Sequence, residues 1–124
     1  MVGCSRRKNG ESVKEACVRE FREETGIYVK NPKIKGIFTF IMKDGDQVQS
    51  EWMMFTFVAD EFDGQKLKES EEGIIDWVSI ADISQLSMAE GDYHILDYMI
   101  HGSGLIYGTF TYTPDFKLLS YRLD

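Results

Sequence analysis

The sequence predicts an α/β fold in which a β-sheet lies between two amphipathic helices. Three stretches carry that expectation. The first is a helical repeat over 12–25 with its own start and stop signals. The second is a pair of β-rich runs, 34–42 and 47–59, parted by the hairpin signal Lys43-Asp44-Gly45-Asp46. The third is another helical stretch, 92–100, followed by two strand-like runs, 105–111 and 116–122, joined through Thr113-Pro114-Asp115.

The first helix is the most fully specified. Ser12 with Glu15 forms a capping box, in which hydroxyl and carboxylate satisfy amides of the first turn. Val13, Ala16, Cys17 and Phe21 give an apolar stripe, and Gly26 suits a left-handed stop. Glu20, Glu23 and Glu24 fall at i, i+3 and i+4, so their carboxylates share one face near the end where the helix dipole disfavours negative charge. Each like-charge pair costs about a few tenths of a kcal/mol. Arg19 relieves part of this through Glu15 or Glu23. A hard divalent cation such as Mg²⁺, bound through carboxylates and substrate phosphates, relieves the rest. A solvated acidic face that tolerates its repulsion is the plainer alternative.

Glu11, Arg19, Glu20, Phe21, Glu23, Glu24, Gly26 and Ile27 stand at the spacing of the Nudix box, G-x5-E-x7-R-E-U-x-E-E-x-G-U, with U a bulky apolar residue. Only the first glycine departs, where this chain has Ser5. The chain therefore resembles the Nudix hydrolases. The resemblance implies one Nudix domain over 1–124, an α/β/α sandwich with a mixed sheet, and metal-dependent hydrolysis of a nucleoside diphosphate linked to a further group. In that family strands precede the Gly-Gly loop before the helix, and here the chain begins in the loop, with Cys4 and Ser5 at the glycine positions. The expected sandwich is thus truncated at its N-terminus, with an open sheet edge that a homodimer would close.

Composition narrows the class further. The 124 residues are 43% hydrophobic and 13% aromatic, enough for a core. A net charge of −7 argues against a surface that coats nucleic acid, and not against a nucleotide reached through a bridging metal. Two cysteines make no disulfide framework, and Cys17 reads as a small core residue. With no apolar run of membrane-spanning length and no signal-peptide pattern, a cytoplasmic protein is expected.

In the remainder, Asn31-Pro32 marks a turn and 60–65 reads as a loop. The run 52–58 is apolar on both faces, as in a central strand or one whose face lines a pocket. An acidic patch over 68–73 leads into a strand over 74–78, and 81–86 suits a short helix. Asp92 is the expected N-cap of the second helix, which buries Ile95, Leu96, Met99 and Ile100 and ends at Gly102. His94 and His101, without cysteine partners, read as surface or rim residues.

The resemblance also implies roles. Glu20, Glu23, Glu24, Glu72 and the carbonyl of Cys4 are the implied ligands of Mg²⁺, with Mn²⁺ as an alternative. Glu71 and Glu69 are the fallbacks for Glu72, and Glu20 or Glu72 is the implied general base. Glu11 and Arg19 orient the other groups. The downstream pattern (FTF, ESEEGIIDW, EGD and the closing FTYTPDFKLLSY) is most similar to the MutT-type oxidised-purine triphosphatases, which cleave 8-oxo-dGTP to the monophosphate and pyrophosphate. Glu90 and Asp92 are then the base-binding residues, although Ala89 stands where many relatives carry tryptophan. Hydrolysis of another nucleoside diphosphate derivative, or a truncated non-catalytic domain, are the competing expectations. In either enzyme reading the partner is a small nucleotide, not a nucleic-acid polymer or a membrane.

Overall fold

The structure is a computed structural model that describes residues 2–4, 7–71 and 73–124, the first three through their backbone alone. Strand β1 (Val2–Cys4) comes first, then helix α1 (Val13–Thr25) and strand β2 (Tyr28–Lys30). The long hairpin of β3 (Lys33–Asp44) and β4 (Gln47–Val58) follows, then β5 (Glu61–Asp63) and the small hairpin of β6 (Glu69–Ser70) and β7 (Gly73–Ile74). A 3₁₀ turn (Ile80–Gln85) leads to α2 (Glu90–His101), β8 (Ile106–Tyr112) and β9 (Leu118–Leu123).

The main sheet has the order β1-β4-β3-β8-β9. Its pairs are antiparallel except β3 with β8, so the sheet is mixed. The β3–β4 hairpin turns at Gly45, whose φ of +60° is the left-handed conformation that glycine takes without cost. Alternate residues of β4 point to opposite faces. Phe55 and Phe57 pack with Ala16 and Cys17 of α1 and with Ile27 and Val29, while Trp52, Met54 and Val58 pack with Ile95 and Met99 of α2 and with Phe38, Phe40 and Phe110. The two helices therefore cover opposite faces, and the α/β/α sandwich follows from the alternation. Each fully buried Phe or Ile side chain contributes about 1.5–3 kcal/mol to holding these layers together.

Four expectations need correction. The chain does not open in a loop, because Val2–Cys4 is an edge strand in register with Phe57, Thr56 and Phe55 of β4. The stretch 60–65 is not all loop, since β5 pairs with β2 and Lys30 meets Asp63 at 2.9 Å. The strand expected over 74–78 stops at Ile74, in a tight hairpin whose Gly73 has a φ of +135°. Beyond it the Asp76 carboxylate accepts the Trp77 amide, and Trp77 stays 62% exposed. Finally, α2 begins three residues early, with Ala89 and not Asp92 at the N-cap position, so Asp92 is the third residue of the helix.

Candidate active site

The acidic face of α1 is built around Arg19. The capping box forms as its sequence dictates: the Glu15 amide donates to the Ser12 hydroxyl at 3.0 Å, and the Glu15 carboxylate accepts the Ser12 amide at 3.3 Å. Gly26 takes a φ of +81°, and its amide donates to the Arg22 carbonyl at 2.9 Å. Glu15 is thereby committed to the cap, and Arg19 turns to other carboxylates. It grips Glu11 with two donors, Nε to Oε2 at 2.8 Å and Nη2 to Oε1 at 3.1 Å. It also reaches Glu23 at 3.2 Å and Glu20 at 3.7 Å. Planar two-point contacts of this kind fix orientation as well as charge.

Glu11 is aimed by the turn before the helix. Gly10, at a φ of +84°, folds the chain so that the Lys8 amide donates to the Glu11 carboxylate at 2.8 Å. The Arg19 guanidinium, and after it the Lys8 amide, hold the Glu11 carboxyl below its ordinary value. Glu11 correspondingly raises Arg19, which stays charged. Glu20 is more sheltered than Glu23, with 21% of its side chain exposed against 58%. Glu24 lines a cavity of about 280 Å³ with Thr25, Ser70, Gly73, Ile74 and Ile75. The acidic β6–β7 hairpin, which carries Glu69 and Glu71, thus stands beside the end of α1, tied there by the Leu67 amide donating to the Thr25 carbonyl at 2.8 Å.

Glu72 lies outside the described residues. The backbone of Cys4 is in β1, opposite Phe55. Among the described residues, no three His, Cys, Asp or Glu side chains gather closely enough to hold an ion.

The other expected site residues, Glu90 and Asp92, lie in the first turn of α2 on the opposite face of the sheet. Glu90 is exposed, and burial pushes the half-buried Asp92 carboxyl up. Against this turn stands a run of rings. Trp52 stacks on Phe40 at 5.5 Å, Phe40 on Phe110 at 5.6 Å and on Tyr112 at 6.4 Å. Phe110 stacks on Tyr121 at 5.8 Å, and Tyr121 on His94 at 4.1 Å. Read singly from the sequence, Trp52 has mainly a core role, Phe40 is a strand former and His94 is a surface or rim residue. The convergence of these rings comes from five separate elements, which no local pattern signals.

The acidic helix face has a counterpart among known proteins: a model of the NUDIX domain matches residues 6–99. The chain belongs to the Nudix family. It is 63% identical over 117 residues to the uncharacterized Nudix hydrolase YvcI of Bacillus subtilis, a match covering 94% of this chain and 74% of that protein. It is also similar to a crystal structure of a mutator MutT protein from Bacillus halodurans, with a TM-score of 0.92 and 51% identity, covering 95% of this chain and 77% of the other.

As a Nudix hydrolase, the chain is an enzyme acting on a small substrate that contains a linked nucleoside diphosphate, and the family generally uses divalent metal cations. The residues present suit such a cation chemically. Glu20, Glu23 and Glu24 offer only hard oxygen donors from one helix face, and Glu24 opens into the cavity beside the acidic hairpin. Among the described residues, no helix is long and apolar enough to cross a membrane.

Proposed function

We propose that this Nudix hydrolase converts a nucleoside triphosphate to the monophosphate and pyrophosphate, and that its nucleotide is an oxidised purine such as 8-oxo-dGTP. The observation that carries the reading is the division of labour across the sheet. Carboxylates oriented by an arginine lie on the α1 side, and a half-buried carboxyl beside stacked rings lies on the α2 side. A nucleoside triphosphate has the same division, with charge at one end and a flat ring at the other.

In this reading Glu20, Glu23, Glu24, Glu72 and the Cys4 carbonyl hold Mg²⁺, or Mn²⁺ in its place. A divalent cation held by these groups would supply charge neutralisation at phosphoryl oxygens and acidify a water. Glu20 or Glu72 takes the proton from the attacking water. Arg19 holds Glu11 and Glu23 in place by the contacts already described, so that the carboxylate face does not reorganise during the reaction. On the other side, Asp92 meets the base edge with Glu90 beside it. Burial pushes the Asp92 carboxyl above its ordinary value, and its oxygens are the polar groups this turn offers to a base edge. The negative charge of −7 fits a free nucleotide better than a polymer. A different nucleoside diphosphate derivative is the second reading, and Ala89 favours it: the residue packs on the core at the head of α2 and offers no ring for stacking.

The test is pyrophosphate release from 8-oxo-dGTP and a panel of ordinary nucleotides with Mg²⁺, run beside Glu23→Gln. The proposal expects preference for the oxidised purine and loss of turnover in the variant. Turnover on another diphosphate derivative replaces the substrate and keeps the reaction. Absence of turnover from folded protein supports a non-catalytic domain.

A further inference from the structure

We propose that Tyr112 is a positioning residue for substrate selection: its hydroxyl pins the first turn of α2 and thereby sets where Asp92 stands. The inference rests on the reading above that Asp92 meets the base.

The first turn of a helix leaves amides without intrahelical partners, and a side chain at the N-cap usually takes one of them. Ala89 at the N-cap of α2 makes no such bond. The need is met from the sheet. The Gly91 amide donates to the Tyr112 hydroxyl at 2.9 Å in a buried setting. Tyr112 is only 2% exposed and sits in β8, in register with Met42 of β3 and Leu118 of β9. Its ring is further held by Phe40 at 6.4 Å and Phe116 at 6.1 Å. The anchor therefore belongs to the rigid sheet and not to the loop that leads into the helix.

Gly91 permits the approach. A Cβ there would stand 2.2 Å from the Tyr112 oxygen and 2.7 Å from Phe110. Asp92 is the next residue along, so the same contact that seats the Gly91 backbone fixes the origin of the Asp92 side chain. The far end of α2 provides an internal control, because Lys35 of β3 donates to the Met99 carbonyl at 2.8 Å. Both clamps tie α2 to the sheet, and only the Tyr112 clamp adjoins Asp92.

The experiment compares Tyr112→Phe, Lys35→Met and Asp92→Asn. It uses steady-state kinetics on 8-oxo-dGTP and dGTP, and amide hydrogen exchange without ligand. Tyr112→Phe is expected to speed exchange at Gly91 and Asp92. It should raise KM for the oxidised purine by about 3- to 10-fold, the worth of one hydrogen bond, with kcat within twofold of the parent. The preference over dGTP should fall with it. Lys35→Met is expected to loosen the end of α2 and leave both KM and preference alone, which separates positioning from general loss of stability. Unchanged exchange at Gly91 overturns the proposal, as does an equal rise in KM in Lys35→Met. An unchanged preference in Tyr112→Phe overturns it too, if Asp92→Asn alters that preference. If Asp92→Asn also leaves preference untouched, the base-site reading has failed and takes this inference with it.

Discussion

Helix α1 is bounded by residues of its own sequence, Ser12 and Glu15 at one end and Gly26 at the other, while α2, stopped locally at Gly102, is also tied to the sheet by Tyr112 and Lys35, which lie 21 and 64 positions from the groups they serve. Local caps make α1 a self-contained platform, able to present crowded carboxylates whatever the sheet does. Remote clamps make α2 an extension of the sheet, so its first turn inherits the sheet's rigidity. The two helices thus suit different tasks. One gathers charge, and the other holds a side chain at a fixed place beside stacked rings.

The largest effect on α2 is expected at Gly91. Gly91→Ala forces a methyl against the Tyr112 oxygen and Phe110. Overpacking of this kind is expected to cost about 1–3 kcal/mol, read as a lower urea midpoint. The corresponding local change on α1, Ser12→Ala, removes one cap bond and is expected to cost about 1 kcal/mol. It should leave the choice among nucleotides intact, as a substrate panel would show. A drop in preference from Ser12→Ala would mean that the two helices are not separate devices.

Acid titration sharpens the contrast by its sign. Glu11 beside α1 titrates below its ordinary 4.5, chiefly through Arg19. Its contribution to stability is complete above 4.5 and is lost as the pH falls through the lower folded value. Asp92 in α2 titrates above its ordinary 3.8 because it is buried. Its contribution is present below 3.8 and is lost as the pH rises through the higher folded value. Glu11→Gln should therefore weaken the acid-side loss of stability, and Asp92→Asn should remove the opposing trend. Thermal unfolding across pH measures both.

The same contrast explains what the sequence disclosed. The caps of α1 and the spacing of its carboxylates are local, so they were legible, as was the Gly45 hairpin. The Arg19–Glu11 pair spans eight residues and was not read directly: helical spacing offered Arg19 Glu15 or Glu23, of which Glu23 is reached, and the gapped motif implied only that Glu11 and Arg19 orient the other groups. The Tyr112 and Lys35 clamps were not legible, since either side chain could have faced any neighbour, and Asp92 looked like the better cap. The run after Gly73 misled for a related reason. Its Ile, Trp and Val residues have strand propensity, but past Ile74 they find no partner strand among the described residues, and propensity without a partner does not make a sheet. The three-residue β2–β5 pair was too short for any periodicity to show.

The most direct test of the divided site is to measure kcat and KM for Glu20→Gln and Asp92→Asn on the same panel of nucleotides. The account predicts that Glu20→Gln lowers kcat by about 10²- to 10⁴-fold on every nucleotide, leaving their ranking intact. Asp92→Asn should change the ranking through KM while kcat on the poorer substrates holds. A uniform loss of kcat from Asp92→Asn, or a changed ranking from Glu20→Gln, would contradict it.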